Sequence, residues 1–408
     1  MSTKLKTFFN LPDQIKWCSV CVNSNQYPAS IPEFQHSVDR KNANYVNFND
    51  ENICDGCLQG RIKMEIDWKS REEQLLRLLD KYRRNDGEYD CLVPGSGGKD
   101  SVYASHLLKH KYGMNPLTVT WPPIMYTDYG YDNYKNWLDI GGFDNITYRP
   151  SGEVMRKLTK IAIETLLHPF QTFILGQKNL APKIASKYGI DLVFYGENEA
   201  EYGNPIADNS QSLRDKSFFS IDNLDSIRLA GKSLKELKEE HNLDLSDLKI
   251  FLPLLKNEYK ENLKIHYLGY YLKWIPQEAY YYSVENTNFK ARPHRTQGTY
   301  SKYNSIDDKI DDLHYYTRFI KFGIGRATDD ASQEIRNDHI SREEGMALVK
   351  RFDGELPDRY LSEVLNYLEI EEDYFHKRCN DFRSPHLWKL EDNKWHLRHT
   401  VNKDGIDD

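Results

Sequence analysis

The run Asp90-Cys91-Leu92-Val93-Pro94-Gly95-Ser96-Gly97-Gly98-Lys99-Asp100-Ser101 constrains this chain more than any other stretch. A short apolar strand enters a loop of three glycines and a serine, and Asp100-Ser101 then opens a helical run over 102–111. Glycine has no Cβ, so the backbone can approach an anion closely. The loop N–H groups and the helix N-terminus offer donors and partial positive charge to phosphate. The spacing fits neither Gly-x-x-x-x-Gly-Lys-Ser/Thr nor Gly-x-Gly-x-x-Gly, which sets aside the kinase-type P-loop and the dinucleotide fingerprint. An ordinary glycine-rich turn is the bland alternative; a strand before and a helix after argue against it.

Strands are expected at 90–94, 115–121, 145–148 and 191–195, and helices at 100–112, 131–138 and 152–188, the last interrupted near Pro169 and Pro182. Ser70-Arg71-Glu72-Glu73 reads as a capping box ahead of a helix carrying Leu75, Leu76, Leu79 and Tyr82 on one face. The alternation predicts an α/β fold, a parallel sheet with helices on both faces. Ligands of such sheets sit at the C-terminal strand ends. Those ends are 95–98, 121–123, 149–151 and 196–204, expected to converge on one crevice. Residues 205–255 are polar and irregular apart from an amphipathic stretch at 229–237, and read as an insertion or lid. A last strand and a helix are expected over 265–282. From Arg292 onward the pattern is helical, with helix starts at Ser305 and Ser341. The tail from 381 reads as short elements or partial disorder. Three parts result: an N-terminal module 1–66, an α/β domain 67–290 and a mainly helical C-terminal region 291–408.

Cys18-Ser19-Val20-Cys21 and Cys54-Asp55-Gly56-Cys57 are two knuckles that together complete a closed four-cysteine site, the arrangement of structural zinc. The long span between them predicts a zinc ribbon with an enlarged loop. A rubredoxin-like iron site and a sulfur-handling role are the alternatives. Cys91 lies in an apolar strand, and nothing beside Cys379 looks like a glutaminase nucleophile. A net charge of -7 gives no global attraction to nucleic acid or anionic membrane. No apolar run approaches the roughly 20 residues of a membrane-spanning helix, and residues 1–10 lack a signal-peptide core. The expectation is a cytoplasmic chain without membrane insertion or nucleic-acid partner.

Among candidate site residues, Ser96 can bond phosphate, and Lys99 adds a point charge. Asp100 and Ser101 sit at a helix start, where plain capping is the competing reading. His168 and Gln171 place polar groups beside the third crossover. Glu197, Asn198, Glu199 and Glu201 follow a buried strand, where carboxylates are costly unless a metal, substrate or cation uses them. Arg292, Lys302 and Arg326 belong to dense polar runs; glycines beside Arg326 let it reach an anion such as a nucleotide-sugar diphosphate.

Ser96 to Ser101 resembles the PP-loop of the ATP pyrophosphatase superfamily, whose fold is adenine nucleotide alpha hydrolase-like. Combined with the four cysteines, Thr118-Val119-Thr120-Trp121, His168-Pro169-Phe170-Gln171, Gly196-Glu197-Asn198-Glu199, Gly298-Thr299-Tyr300-Ser301-Lys302-Tyr303 and Lys321-Phe322-Gly323-Ile324-Gly325-Arg326, it resembles one family. That family is the N-acetyl sugar amidotransferases, similar to proteins of lipopolysaccharide O-antigen and of pseudaminic or legionaminic acid pathways. The similarity covers roughly residues 15–355.

The resemblance implies conversion of an acetamido group on a nucleotide-activated sugar to acetamidino, with ATP, Mg2+ and structural zinc. It implies catalytic roles for Lys99, Asp100, Ser101, Glu197 and Glu199. It implies ATP contacts from Gly95, Ser96, Gly97, Gly98, Lys99, Asp100, Ser101 and Trp121. It implies nucleotide-sugar contacts from His168, Gln171, Asn198, Arg292, Lys302 and Arg326. It further implies ammonia from a class I glutaminase partner with a cyclase-like barrel subunit. The rival readings are a PP-loop tRNA thiolation enzyme and a non-enzymatic ATP-binding scaffold.

Overall fold

A computed structural model describes residues 5–28, 33–37, 44–197, 201 and 211–404. Helices α1 (Asp55–Glu65) and α2 (Trp68–Tyr82) precede the sheet. Then come β1 (Cys91–Pro94), α3 (Lys99–His106, continued by a π turn, Leu107–Lys111), β2 (Pro116–Thr120), α4 (Asp128–Asp139) and β3 (Asn145–Thr147). Helices α5 (Gly152–Leu166) and α6 (Gln171–Tyr188) lead to β4 (Leu192–Tyr195). A further segment holds β5 (Ser220–Ile221), α7 (Leu234–His241), α8 (Leu245–Leu248) and β6 (Leu254–Leu255). It ends in β7 (Lys264–Tyr267), α9 (Leu268–Tyr271) and α10 (Pro276–Thr287). The C-terminal region comprises α11 (Asp311–Phe322), α12 (Arg326–Arg336), α13 (Arg342–Phe352), α14 (Asp358–Leu368) and α15 (Glu372–Asp381). A hairpin, β8 (Trp388–Glu391) and β9 (Lys394–Leu397), and α16 (Val401–Asp404) complete it.

The main sheet runs β3-β2-β1-β4-β7, every neighbouring pair parallel. Both faces are covered, as the alternation of side chains requires. Leu92, Val193 and Ile265 face one core with Leu158 and Ile161 of α5, while Val93, Leu192 and Phe194 face another with Leu75 and Leu79 of α2. Sequential order reverses between β1 and β4, which creates a crevice at their C-terminal ends.

Several sequence expectations are corrected here. The helix at 70 begins three residues earlier: Asp67, not Ser70, is the cap, its carboxylate accepting the Ser70 N–H at 3.1 Å. Pro182 does not interrupt α6. A proline leaves the carbonyl four residues back without its helical donor, and the Tyr195 hydroxyl donates to that Lys178 carbonyl at 3.3 Å. Ser305 opens no helix, because Asp308 gathers the turn first, accepting backbone N–H groups from Ile124, Met125 and Ile310. Ser341 does cap α13, in a reciprocal box with Glu344. The described part of 205–255 is not a lid. Phe218, Phe219, Leu237 and Phe251 are buried in the α5–α6 core, and Asn179 donates to the Phe251 carbonyl at 2.7 Å.

The four cysteines share a core with Ala331, Ile335, Met346 and Val401 from the far end of the chain. Arg342 clamps the first knuckle, donating to the carbonyls of Cys18 (3.1 Å) and Cys21 (3.2 Å). The second knuckle opens α1 rather than a ribbon strand, with Cys54 as the N-cap residue.

Candidate active site

The loop after β1 is fixed by backbone geometry. Gly95 donates to the Val119 carbonyl at 2.9 Å, tying the loop to β2. A Cβ on Gly95 would lie 2.2 Å from Ser101 Cβ, and one on Gly97 would lie 2.5 Å from Tyr134 Cα in α4. Gly97 also has φ +84, a left-handed conformation that glycine adopts without penalty. Gly98 differs. Its φ is -69, open to any residue, and a Cβ there would meet only Ser96 Oγ, at 3.9 Å. Gly95 and Gly97 are therefore demanded by packing, whereas Gly98 keeps space open above the loop.

Two cavities meet at that space. The larger, about 550 Å³, is floored by Gly95, Ser96, Gly98 and Ser101, with Trp121 and Tyr195 on its walls. It gathers cationic groups from Lys178, Arg214, Arg318 and Arg326. Arg318 is anchored by Asp329 at 2.7 Å and Arg326 by Asp330 at 3.0 Å, so both guanidinium groups are held in place. The Trp121 indole N–H is buried without a hydrogen-bond partner among the described residues, a donor available to a polar ligand. This lining suits a polyphosphate carrying an aromatic base.

The smaller cavity, about 310 Å³, lies across the loop and collects Asp100, Glu197, Asp307 and Asp311 beside Gly97, Gly98 and Lys99. Ser96 donates to Asp307 at 2.8 Å. Asp100 accepts from Lys99 at 2.5 Å and from the Trp274 indole at 3.0 Å. Burial pushes the Asp311 carboxyl well up, and the charges of Asp307, Asp308 and Asp312 add to the shift. Such mutual repulsion is relieved by a hard divalent cation, and an oxygen-only donor set is what Mg2+ takes.

Of the residues singled out in the sequence, Gly95, Ser96, Gly98, Asp100, Ser101, Trp121, Glu197 and Arg326 line the larger cavity; Gly97 and Lys99 line the smaller. Asn198 and Glu199 lie outside the described residues. The rest are placed elsewhere. Residues 149–151 do not line the crevice. Gln171 is fully buried and spends its amide on backbone: it donates to Glu33 (2.8 Å) and Arg228 (3.1 Å) and accepts from Ala230 (2.7 Å). It is a brace, not a substrate contact. Arg292 is buried 3.8 Å from Asp312 and faces Tyr360, away from both cavities. Lys302 is exposed and lines neither. His168 lines a third cavity, about 180 Å³, that shares Tyr27, Ile174, His314 and Arg318 with the one of about 550 Å³. Glu201 pairs with the buried Lys63 at 3.0 Å, which removes it from the acidic group.

Sequence reasoning missed Arg214, Arg318, Asp307 and Asp311. Asp307 and Asp311 were hidden inside an apparent helix start. Arg318 looks like any helix-surface cation; only the buried Asp329 opposite reveals it.

The cysteine sulfurs all lie within 4.8 Å of one another, with Cys18–Cys57 at 3.8 Å and Cys21–Cys54 at 3.7 Å. Four sulfurs at about 2.3 Å from one tetrahedral ion stand about 3.8 Å apart, so the set fits zinc. Backbone N–H groups of Val20, Cys21 and Cys54 point at the Cys18 sulfur, as a thiolate requires. Four thiolates leave no corner of the tetrahedron for water, so this centre supports the fold.

Loop, switch-point crevice and parallel sheet together define a PP-loop type of α/β protein. Residues 297–402 match the family described as the C-terminal domain of WbpG-like LPS biosynthesis proteins. That match covers about a quarter of the chain and agrees with the lipopolysaccharide side of the resemblance read from the sequence. An uncharacterized protein of Methanocaldococcus jannaschii, MJ1599, is 30% identical over 102 residues, which are 25% of this chain and 31% of that protein. The chain thus spans about a third of that relative's length. Among solved structures, NMN synthetase from Francisella tularensis is 18% identical with a TM-score of 0.25, covering 33% of this chain and 56% of that one. The NH3-dependent NAD synthetase of Campylobacter jejuni gives 15% and 0.26, covering 34% and 59%. The U34-tRNA thiolase NcsA of Methanococcus maripaludis gives 12% and 0.30, covering 77% and 88%. Likenesses this loose say nothing about activity. No helix of the described residues is long and apolar enough to cross a membrane.

Proposed function

We propose that the chain is an ATP-dependent amidotransferase that converts an acetamido group of a nucleotide-activated sugar to acetamidino, in the making of a surface polysaccharide or related glycan. An amide oxygen is a poor leaving group. Attack of that oxygen on the α-phosphorus of ATP expels pyrophosphate and gives an O-adenylyl imidate. Ammonia then adds at the imidate carbon, and AMP departs with the original oxygen. The protein's task is to position reactants and hold charge. Ser96, Gly98 and the N-terminus of α3 would cradle the departing pyrophosphate, with Arg326 and Lys178 lining the same cavity. Asp100, Glu197, Asp307 and Asp311 are the donors available to Mg2+, which neutralises phosphate charge when bound.

One observation carries the reading: a cation-lined cavity and a carboxylate-lined cavity meet at the open side of Gly98. Ammonia is proposed to come from a separate glutaminase with its barrel subunit. In support, Cys379 is 1% exposed and burial pushes its thiol up to about 12, the opposite of what a nucleophile needs. Cys91 is also buried, at the start of β1 and away from the loop. The same two facts weigh against sulfur transfer to tRNA.

Mass spectrometry of nucleotide-linked N-acetyl sugars, incubated with the protein, ATP, Mg2+ and ammonium at alkaline pH, tests the proposal. The expected product differs from its substrate by replacement of O with NH, and AMP and pyrophosphate appear with it. AMP formation that depends on tRNA and ignores every acetamido sugar would refute it.

A further inference from the structure

Beyond the cysteines and the carboxylates beside the loop, Glu33, His36 and His168 bring metal-ligating atoms close together. Glu33 Oε2 stands 3.3 Å from His36 Nδ1 and 3.6 Å from His168 Nε2, and the three donor atoms lie within 4.8 Å of one another. The His168 separation is beyond hydrogen-bond reach, and the His36 one lies at its far edge. Glu33 Oε2 is buried with no hydrogen-bond partner among the described residues. Both separations suit two donors sharing one tetrahedral ion: with metal–N and metal–O bonds of about 2.0–2.2 Å, neighbouring donors stand about 3.4 Å apart.

The fold builds this arrangement from three elements. Residues Glu33–Gln35 form a 3-10 turn, in which side chains three apart eclipse, so Glu33 and His36 project on one side. His168 sits in the short break between α5 and α6, just after Leu167, whose φ is +46. Its ring stacks on His314 at 5.1 Å and 29°. Gln171, at the first turn of α6, donates to the Glu33 carbonyl at 2.8 Å and so pins the turn against the break. A buried amide that holds the backbone of a neighbouring ligand is the support expected around a metal.

We propose that Glu33, His36 and His168 bind a divalent first-row transition ion, zinc foremost, with a coordination position left open. Three protein donors, two imidazoles and one carboxylate, leave the fourth corner free, which distinguishes this centre from the closed cysteine site. The three residues line a cavity of about 180 Å³ together with Tyr27, His314 and Lys321, which gives an open position room for a ligand. Lys321 is tied to the Leu166 carbonyl at 3.0 Å, so the rim is cationic and suits water or a small anion on the ion. The proposal does not depend on the amidotransferase reading.

The test is a metal count on the full chain, equilibrated with Zn2+ and freed of excess. Native protein is expected to hold about two zinc ions, and Glu33→Gln and His168→Asn about one each. Circular dichroism serves as the control for folding. Cobalt separates the two centres: Co2+–thiolate charge-transfer bands should persist in both variants, while visible bands of a nitrogen–oxygen site should be lost. One zinc ion in the native chain, or two that survive in both variants, would overturn the assignment. Should either variant fail to fold, the native Co2+ spectrum decides alone: cysteine-site bands with no second set would also overturn it.

Discussion

The two cavities that meet at Gly98 differ in charge and in how they are built. Cations dominate the larger, and they arrive from α6, from residue 214 after β4, and from α11 and α12. Carboxylates dominate the smaller, and they come from the start of α3, from just after β4, from the turn before α11 and from its first residue. The loop therefore acts as a partition. One side is shaped for phosphate and base, the other for the ion that accompanies phosphate. The two cavities share Ser96, Gly98, Asp100, Glu197 and Arg326, so both can act on one group.

The largest expected effects come from the partition itself. Gly97→Val should yield no folded protein, because its side chain would enter the backbone of α4. Gly98→Val should fold with an unchanged melting temperature yet lose ATP-dependent turnover roughly 100-fold or more, about 2.7 kcal/mol of barrier. Pyrophosphate release assays beside thermal melts check the pair; equal loss of stability in both variants would show that Gly98 too serves only packing.

On the cationic side, Arg326→Lys keeps a charge opposite Asp330 but removes the planar fork. The KM for ATP or the nucleotide sugar should rise on the order of tenfold, the loss of one charge-assisted hydrogen bond. Steady-state kinetics with each substrate varied assigns the contact. On the acidic side, Asp307→Asn should raise the Mg2+ concentration needed for half-maximal turnover. Ser96→Ala, which removes only the hydroxyl that bonds Asp307, should raise it less. Equal effects would mean that Asp307 merely holds the loop.

A last effect, on stability rather than turnover, concerns Asp308, which joins the loop after β2 to the turn before α11. Burial raises its carboxyl to about 7, with the Asp307 charge adding to the shift. A raised carboxylate keeps its proton in the folded state after the unfolded chain has lost it. Its contribution to stability is thus intact below the ordinary carboxylate range and declines as pH climbs toward 7. The slope is at most about 1.4 kcal/mol per pH unit. Asp308→Asn abolishes this titration. Melting temperatures of both proteins from acid to neutral pH should show the native chain losing ground to the variant, and parallel curves would contradict the shift.

Much of the floor was legible in the sequence, because it is contiguous: strand, glycine loop and helix follow within a dozen residues, and each knuckle spans four. The walls were not. Arg318 and Asp329 lie on different helices, and nothing in either local pattern predicts their 2.7 Å contact. Local signals also misled. Arg292 sits in a dense basic run but balances a buried Asp312, and Gln171, beside a recognisable motif, is consumed by three backbone groups. Ser70 and Ser305 each had the right spacing for a cap, yet Asp67 and Asp308 offered better acceptors for the N–H groups of those turns. The Pro182 kink vanished because a tyrosine from β4 serves the orphaned carbonyl.

The arginine clamp on the first knuckle has a consequence for synthesis. All four cysteines leave the ribosome early, but Arg342 follows Cys18 by more than three hundred residues, and Ala331, Ile335, Met346 and Val401 come comparably late. During translation, which proceeds at about 5–20 residues per second, the thiols wait without the C-terminal part of their apolar cover for many seconds. Early metal capture would shield them from oxidation over that interval. A chain halted before residue 331 would carry all four cysteines with only Val22, Val46 and Ile53 of their buried cover, a ready mark for quality control.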